Sequence, residues 1–285
     1  MSRPISQPEL QTIHDVIVEL AQRAGERIVS AIDKKRPDIQ SKLNSVDLVT
    51  QSDKDTESLI SNELKRTFPK YAFMGEETAE AESVDENGGG IFIVDPIDGT
   101  TNFIHGFPYF SISIGFCYHG TPMVGVVYNP VRRDLYSGIR GKGAWKNSMP
   151  IKQTAHPLGT LNESLVILEW GAERANRNFQ IKKEMFCAFA ERARSVRSLG
   201  SAALNLCALA EGVCDVYWEG GVHSWDVCGA WPILLEAGGR ILHGNTDSEA
   251  RVDDRVYLAV RGGPNPAPLV QEIRTVLGHR KLEYD

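Results

Sequence analysis

Ile91-Phe92-Ile93-Val94-Asp95-Pro96-Ile97-Asp98-Gly99-Thr100-Thr101 sets two carboxylates and a glycine at the end of an apolar run. Ile91–Val94 reads as a short buried strand that delivers Asp95 at its end. Pro96 fixes the turn, and Asp98 follows three residues on, so both carboxylates project from one tight loop. Gly99 permits close backbone approach, and the amides of Gly99, Thr100 and Thr101 can open a short helix, a ready anion site. Carboxylate oxygens hold hard cations and amides hold phosphate, so the stretch suits a metal–phosphate pair. An isolated Asp-Gly-Thr would read as a turn with a helix cap. Behind a buried strand the reading as a site is preferred.

Upstream, Leu10, Ile13, Ile17, Leu20, Ala21, Ala24, Ile28 and Ala31 recur at three- and four-residue steps, one buried helix face. Ser6 and Glu9 have capping-box spacing at its start, and Pro37 marks its latest end. The polar Lys34–Asn44 stretch reads equally as a mobile lid and as a solvated loop. A second helix is predicted over Asp55–Phe68, stopped by Pro69. Tyr71–Met74 is strand-like, and Glu82–Gly90 reads as a surface insertion.

Downstream, strands are predicted at Ser111–Tyr118, Met123–Tyr128 and Leu135–Ile139, with Gly and Pro in the gaps as for antiparallel neighbours. Past about residue 155 strands and helices alternate. Strands fall at Leu165–Leu168, Val213–Trp218 and Tyr257–Val260, and helices at Phe179–Arg192, Ala202–Glu211, Trp225–Glu236 and Pro266–Leu277. The order predicts layered α/β packing.

With 285 residues, 42% hydrophobic and 24% charged, the chain is a folded protein and not a disordered one. Its net charge of −6 argues against nucleic acid as a partner. No apolar run approaches a membrane span, and the N-terminus lacks the core of a signal peptide. Five scattered cysteines without a C-x-x-C pair read as buried free thiols in a reducing compartment, so a cytoplasmic location is expected.

Three further acidic places accompany the opening stretch: Asp53, the pair Glu76-Glu77 after Gly75, and Asp226 in His223-Ser224-Trp225-Asp226. Locally each has an ordinary reading. Asp53 and Asp226 could be helix caps and Glu76-Glu77 a solvated turn. Their chemical type raises them, because Mg²⁺ takes carboxylates, carbonyls and retained waters, without His or Cys.

Phe92 to His105 resembles the first signature of the inositol monophosphatase family almost residue for residue. Trp225-Asp226-Val227-Cys228-Gly229-Ala230, with Glu236-Ala237-Gly238-Gly239 after it, resembles the second. Gly75-Glu76-Glu77 and Asp47-Leu48-Val49-Thr50-Gln51-Ser52-Asp53 match two more family blocks in the right order. The resemblance covers about residues 10–275.

It implies an α-β-α-β-α layered sandwich of the inositol monophosphatase and fructose-1,6-bisphosphatase type. One domain would span 1–285, an N-terminal α+β half to about residue 155 and a C-terminal α/β half after it. It further implies a homodimer and a Mg²⁺-dependent, often lithium-inhibited phosphomonoesterase. By motif, Glu76, Asp95 and the Ile97 carbonyl would hold one Mg²⁺, and Asp95, Asp98 and Asp226 a second. Glu76 would also reach a third, weaker ion. Thr100 and Asp53 would orient the attacking water, with Glu77 supporting them. The Gly99 and Thr100 amides would receive the phosphate. Asp98, Asp226, Glu219 and the Gly200-Ser201-Ala202 turn would meet the substrate.

Two cations can activate water on one side of a phosphate ester and stabilise the leaving alkoxide on the other, with no covalent intermediate. Glu219 favours a neutral polyol, so myo-inositol 1-phosphate is the leading substrate. A sugar phosphate, histidinol phosphate or 3′-phosphoadenosine 5′-phosphate is the alternative, and a catalytically silent metal-binding relative a further one. A bisphosphate enzyme should show extra Lys or Arg near the site, and the motif blocks offer only Arg197 and Lys42. Trp170-Gly171-Ala172 and Trp218 leave specificity open.

Overall fold

The computed structural model describes residues 4–32, 39–41, 48–78, 89–152 and 156–284. Helix α1 (Gln7–Ile32) buries Leu10, Ile13, Ile17, Leu20 and Ala24, the predicted face. Strands β1 (Ile39–Ser41) and β2 (Leu48–Thr50) pair antiparallel. The rest of the proposed Lys34–Asn44 lid lies outside the described residues. Helix α2 (Gln51–Thr67) starts earlier than predicted because Thr50, not Asp53, is its cap. Thr50 Oγ1 accepts the Ser52 N–H at 3.2 Å, and Asp53 Oδ2 accepts the Thr50 N–H at 2.9 Å.

Seven strands follow in one sheet, ordered as in the chain. They are β3 (Ala72–Gly75), β4 (Gly90–Asp98), β5 (Ser111–Tyr118), β6 (Thr121–Asn129), β7 (Asp134–Ile139), β8 (Gly143–Lys146) and β9 (Met149–Pro150). Neighbours are antiparallel except β3, which runs parallel to β4. Gly90 belongs to β4 and not to a loop; residues 82–88 lie outside the described ones. Strand β4 also runs past its apolar stretch to Asp98, with a register shift against β5 between Asp95 and Asp98 that accommodates Pro96. Helix α3 (Thr100–His105) follows directly. The short strands β8 and β9 carry no apolar run, which is why the sequence pattern passes over them.

Side chains of β4 alternate between two cores. Phe92 and Val94 face α1 and α2, while Ile91 and Ile93 join the cluster of the middle helical layer. Burial on both faces makes the strand read as a continuous apolar run.

The second half begins with β10 (Leu165–Leu168), α4 (Arg177–Ala190), β11 (Ser195–Arg197), α5 (Ala202–Ala210) and β12 (Val216–Gly220). It continues with α6 (Ser224–Cys228), α7 (Trp231–Glu236), β13 (Arg240–His243), β14 (Val256–Val260) and α8 (Ala267–Leu277). The sheet order is β11-β10-β12-β14-β13. The single helix predicted over Trp225–Glu236 is two. It breaks at Gly229, where a Cβ would stand 2.5 Å from Ser113 Oγ and 3.0 Å from the Ile114 nitrogen on β5. Strand β12 starts after Val213, which is exposed in the turn leaving α5. Cys187 is exposed, so only four of the five thiols are buried as expected.

Helices α5, α6 and α7 lie between the sheets, where one cluster joins Ile93 and Cys117 to Leu206, Tyr217 and Tyr257. Helices α4 and α8 cover the outer face through Val166, Leu168, Trp218 and Leu258. The layers run α-β-α-β-α, as the resemblance implies. Among the described residues no helix is long and apolar enough to cross a membrane.

Candidate active site

Three elements bring the acidic residues together. Asp95 and Asp98 sit in the C-terminal stretch of strand β4, and Asp226 is the third residue of α6, which packs against β4 and β5. Asp95, Asp98 and Asp226 each present a carboxylate oxygen within 4.8 Å of the others. Asp226 is no N-cap. His223 is, and the Asp226 carboxylate accepts its N–H at 2.7 Å. Asp95 Oδ1 accepts the Ile97 N–H at 2.9 Å. Asp98 is fixed from across the inter-sheet seam by the start of α5. Ser201 Oγ donates to it at 2.5 Å, Ala202 N at 3.2 Å and Ala203 N at 2.8 Å.

Burial dominates the electrostatics. It pushes the Asp226 carboxyl up to about 8, with the Asp98 and Glu76 charges adding to it. It pushes Asp98 up to about 7 against the lowering effect of its Ser201, Ala203 and Ala202 donors. Asp95 is raised well above the usual carboxylate range, by burial and then by the Glu76, Asp98 and Asp226 charges. Like charges gathered in a dry site are costly without a cation between them. The donors are all hard oxygens, the set that Mg²⁺ takes.

Glu76 opens the turn after β3, its N–H donating to the Val94 carbonyl at 3.1 Å, and its charge raises all three aspartates. Glu57 on α2 holds this turn: its buried carboxylate accepts the Glu77 N–H at 2.7 Å. Gly75 is required there, because a Cβ would lie 2.3 Å from the Glu57 carboxylate. Beside the turn, Thr100 Oγ1 lies 3.3 Å from Asp53 Oδ1 and 3.0 Å from the Ile97 carbonyl. Thr50 occupies the other Asp53 oxygen through its N–H and its hydroxyl. Burial raises the Asp53 carboxyl, and the Glu77 charge adds to the effect.

Of these groups Glu76, Asp98, Thr100 and Asp226 line a cleft of about 890 Å³. Gly99, with φ 95°, turns the chain into α3, and a Cβ there would meet the Gly200 carbonyl at 2.8 Å. Asn102 Nδ2 donates to the Leu199 carbonyl at 2.7 Å, tying that turn to α3. The Gly200-Ser201-Ala202 turn forms one wall, held by buried Glu169, whose Oε1 accepts the Leu199 and Gly200 N–H groups at 2.7 and 2.8 Å. Glu219, next to last in β12, also lines the cleft and accepts the Tyr217 hydroxyl at 2.5 Å. Burial raises the Glu219 carboxyl well above the usual range, with Glu169 next.

A sequence profile described as "Inositol monophosphatase family" matches residues 9–275. The chain belongs to the inositol monophosphatase family. It is therefore an enzyme, a phosphoric monoester hydrolase. It is 42% identical over 263 residues to Inositol monophosphatase 2 of Saccharomyces cerevisiae, covering 89% of this chain and 90% of that one. It is 37% identical to Protein qutG of Emericella nidulans, covering 100% of this chain and 98% of that protein. The solved extragenic suppressor protein suhB from Bartonella henselae superposes with a TM-score of 0.81 at 27% identity. That match covers 93% of this chain and 98% of the suhB chain.

Of the residues predicted from the family motifs, Glu76, Asp98, Gly99, Thr100, Gly200, Ser201, Ala202, Glu219 and Asp226 line this cleft, while Asp53, Glu77, Asp95 and Ile97 do not. Ser201 and the Ala202 amide spend hydrogen bonds on Asp98. Arg197 is exposed on β11 and does not line the cleft, and Lys42 lies outside the described residues. Basic residues do line it, contrary to expectation: Arg174, Lys182 and Arg255. Lys182 is fully buried and paired with Glu173 at 3.1 Å. Glu57 and Glu169 were not foreseen. For Glu57 a signal exists: Asp53, Glu57, Ile60 and Leu64 step by three and four along the buried face of α2.

Proposed function

We propose that this enzyme hydrolyses a small phosphate monoester with Mg²⁺ and a water nucleophile, and that myo-inositol 1-phosphate is its substrate. The observation that carries this reading is the Asp95, Asp98 and Asp226 cluster beside the Thr100–Asp53 pair, with Asp98 and Asp226 lining the cleft and Asp95 buried behind them. Glu76, Asp95 and the Ile97 carbonyl would hold one ion, Asp95, Asp98 and Asp226 a second, and Glu76 a weaker third. Bound there, Mg²⁺ supplies Lewis-acid charge that acidifies water and offsets the negative charge of phosphate and leaving oxygen.

The protein's own groups do the positioning. With Thr50 occupying Asp53 Oδ2, Asp53 Oδ1 is aimed at Thr100. A Thr100 hydroxyl donating to Asp53 turns its oxygen lone pairs toward the cleft, where they can accept a proton of the attacking water. Glu77 supports that pair through its charge. The Gly99 and Thr100 amides at the start of α3 would receive the phosphate. Asp98, Asp226, Glu219 and the Gly200–Ala202 turn would face the alcohol. Glu219 suits hydroxyl donors, and an acceptor there repels a second phosphate. The cleft's Lys182, Arg174 and Arg255 already donate to Glu173 and to the Gly220, Gly171 and Val222 carbonyls. Both favour inositol 1-phosphate over a bisphosphate. No side chain here has to form a bond to phosphorus.

Because one apolar cluster draws on both sheets, we read residues 1–285 as one domain, acting as a homodimer in solution. The test is phosphate release from myo-inositol 1-phosphate with Mg²⁺ and with chelator, beside histidinol phosphate, a sugar phosphate and 3′-phosphoadenosine 5′-phosphate. Chelator-sensitive release that is fastest from the inositol ester is expected. Faster release from another ester replaces the substrate, and release undiminished by chelator defeats the metal reading.

A further inference from the structure

Residues 282–284, which follow α8, return to the cleft and are held there by two asparagines. Asn245 Nδ2 donates to the Leu282 carbonyl at 2.7 Å, and Asn245 Oδ1 accepts the Leu282 N–H at 3.1 Å. Asn178 does the same for the next residue, at 2.7 Å to the Glu283 carbonyl and 3.0 Å from its N–H. Each amide side chain thus satisfies a backbone donor and acceptor as a neighbouring strand would. Leu282 is buried, which anchors the segment in the outer core.

The two asparagines set Tyr284 against the residues that come directly after Glu219. A Cβ on Gly220 would lie 2.3 Å from Leu282 Cδ1 and 3.1 Å from the Tyr284 ring. One on Gly221 would lie 3.2 Å from that ring. Gly221 also has φ 95°, so both glycines are bound up with the passage of this segment. The Tyr284 hydroxyl donates to Glu173 Oε2 at 2.7 Å, and the Lys182 ammonium stands 5.7 Å from its ring centre. Lys182, without exposed surface, also donates to the Gly220 carbonyl at 2.7 Å and the Trp170 carbonyl at 3.0 Å. One buried cation therefore joins the end of β12, the Trp170–Glu173 loop and the ring of Tyr284.

We infer that Tyr284 is a specificity-determining residue: its ring walls the cleft beyond Glu219 and limits the alcohol part of the ester to a small polyol. This rests on the reading of Glu219 as the group that meets the alcohol. A planar ring held at both edges by Glu173 and the glycine pair is a rigid boundary, and a boundary discriminates by excluding bulk. Asn178 acts only through it, as a positioning residue.

The test compares kcat/KM for 2′-AMP and for glycerol 2-phosphate, two esters that differ in bulk and include no inositol, in the unaltered enzyme, Tyr284→Ala and Asn178→Ala. The 2′-AMP to glycerol 2-phosphate ratio is expected to rise about tenfold in Tyr284→Ala, the scale of a changed pocket wall. A smaller rise is expected in Asn178→Ala, which loosens the segment without touching the cleft and stands in where Tyr284→Ala does not fold. A ratio within about twofold of the unaltered enzyme in every folded variant overturns the inference. Myo-inositol 1-phosphate is run alongside. Its failure as a substrate while the ratio moves counts against the inositol reading alone.

Discussion

Replacing Asp226 by Asn separates the cost of the acidic cluster from its use. The carboxyl titrates at 3.8 when exposed, and burial with the neighbouring Asp98 and Glu76 charges raises it to about 8 in the metal-free fold. A group raised in this way contributes stability that is complete below its unfolded pKa and is lost as pH rises through its folded one. Between pH 5 and pH 7 the folded chain keeps this proton while the unfolded chain has released it. One proton per pH unit is worth about 1.4 kcal/mol, so the metal-free enzyme should lose about 3 kcal/mol over that window through Asp226 alone. Asp98, raised to about 7, acts in the same direction up to that pH.

Asn keeps the acceptor that the His223 N–H needs and has no proton to lose. In chelator, urea unfolding should therefore show Asp226→Asn losing about 3 kcal/mol less than the unaltered enzyme from pH 5 to pH 7, because the variant removes this carboxyl together with its share of the charge that raises Asp95. With Mg²⁺ at a hundred times its dissociation constant, the unaltered enzyme should gain about 2.7 kcal/mol at pH 7 and the variant far less. Phosphate release should collapse in the variant. Equal pH slopes for the two proteins in chelator would refute the idea that the fold raises the Asp226 carboxyl. Equal stabilisation by Mg²⁺ would refute its role as a ligand.

Asp98→Asn should lower kcat at least about a hundredfold with the far-UV circular dichroism unchanged, since it removes a ligand but leaves a side chain for Ser201 and Ala203 to hold; retained turnover would sink the two-ion assignment. Gly75→Ala puts a methyl against the Glu57 carboxylate and should cost about 1–3 kcal/mol in urea unfolding, with kcat falling further than stability explains. A neutral effect on both would show that the turn bearing Glu76 is free to move. Glu219→Gln should weaken the preference for inositol 1-phosphate over non-polyol esters while Mg²⁺ dependence stays, and an unchanged substrate profile would remove Glu219 from the alcohol site.

What the sequence made readable follows from where each residue finds its partners. Strand β4 announces itself because both its faces are buried, so Ile91 to Val94 are all apolar. Asp95 and Asp98 stand out by following that run. Helix α2 is readable as a helix but not at its start, since Thr50 and Asp53 form the cap across three residues of polar chain. Asp226 and Glu76 have no local mark that separates them from a cap and a turn, and only the ordered family blocks connect them to β4. Lys182, Glu169 and Tyr284 were out of reach. Their partners lie 38 residues away at Gly220, 31 at Gly200 and 111 at Glu173, and no periodicity encodes such a pairing.

The same distances explain why the site is at the seam. Asp95 and Asp98 come from the seven-stranded sheet, while Asp226, Glu219 and the Ser201 turn come from the part of the chain that builds the other sheet. Asp98 is the joint, a strand carboxylate whose three donors all begin α5. A carboxylate raised to about 7 by burial would be a poor choice for cementing two layers if cementing were its task, because a neutral side chain would do so without the desolvation cost. Its position makes sense when the charge is needed by something that enters the cleft. The helix donors then hold in place an oxygen that the buried fold alone would disfavour, and they hold it only once both layers have closed. Assembly of the site and completion of the fold are thus one event.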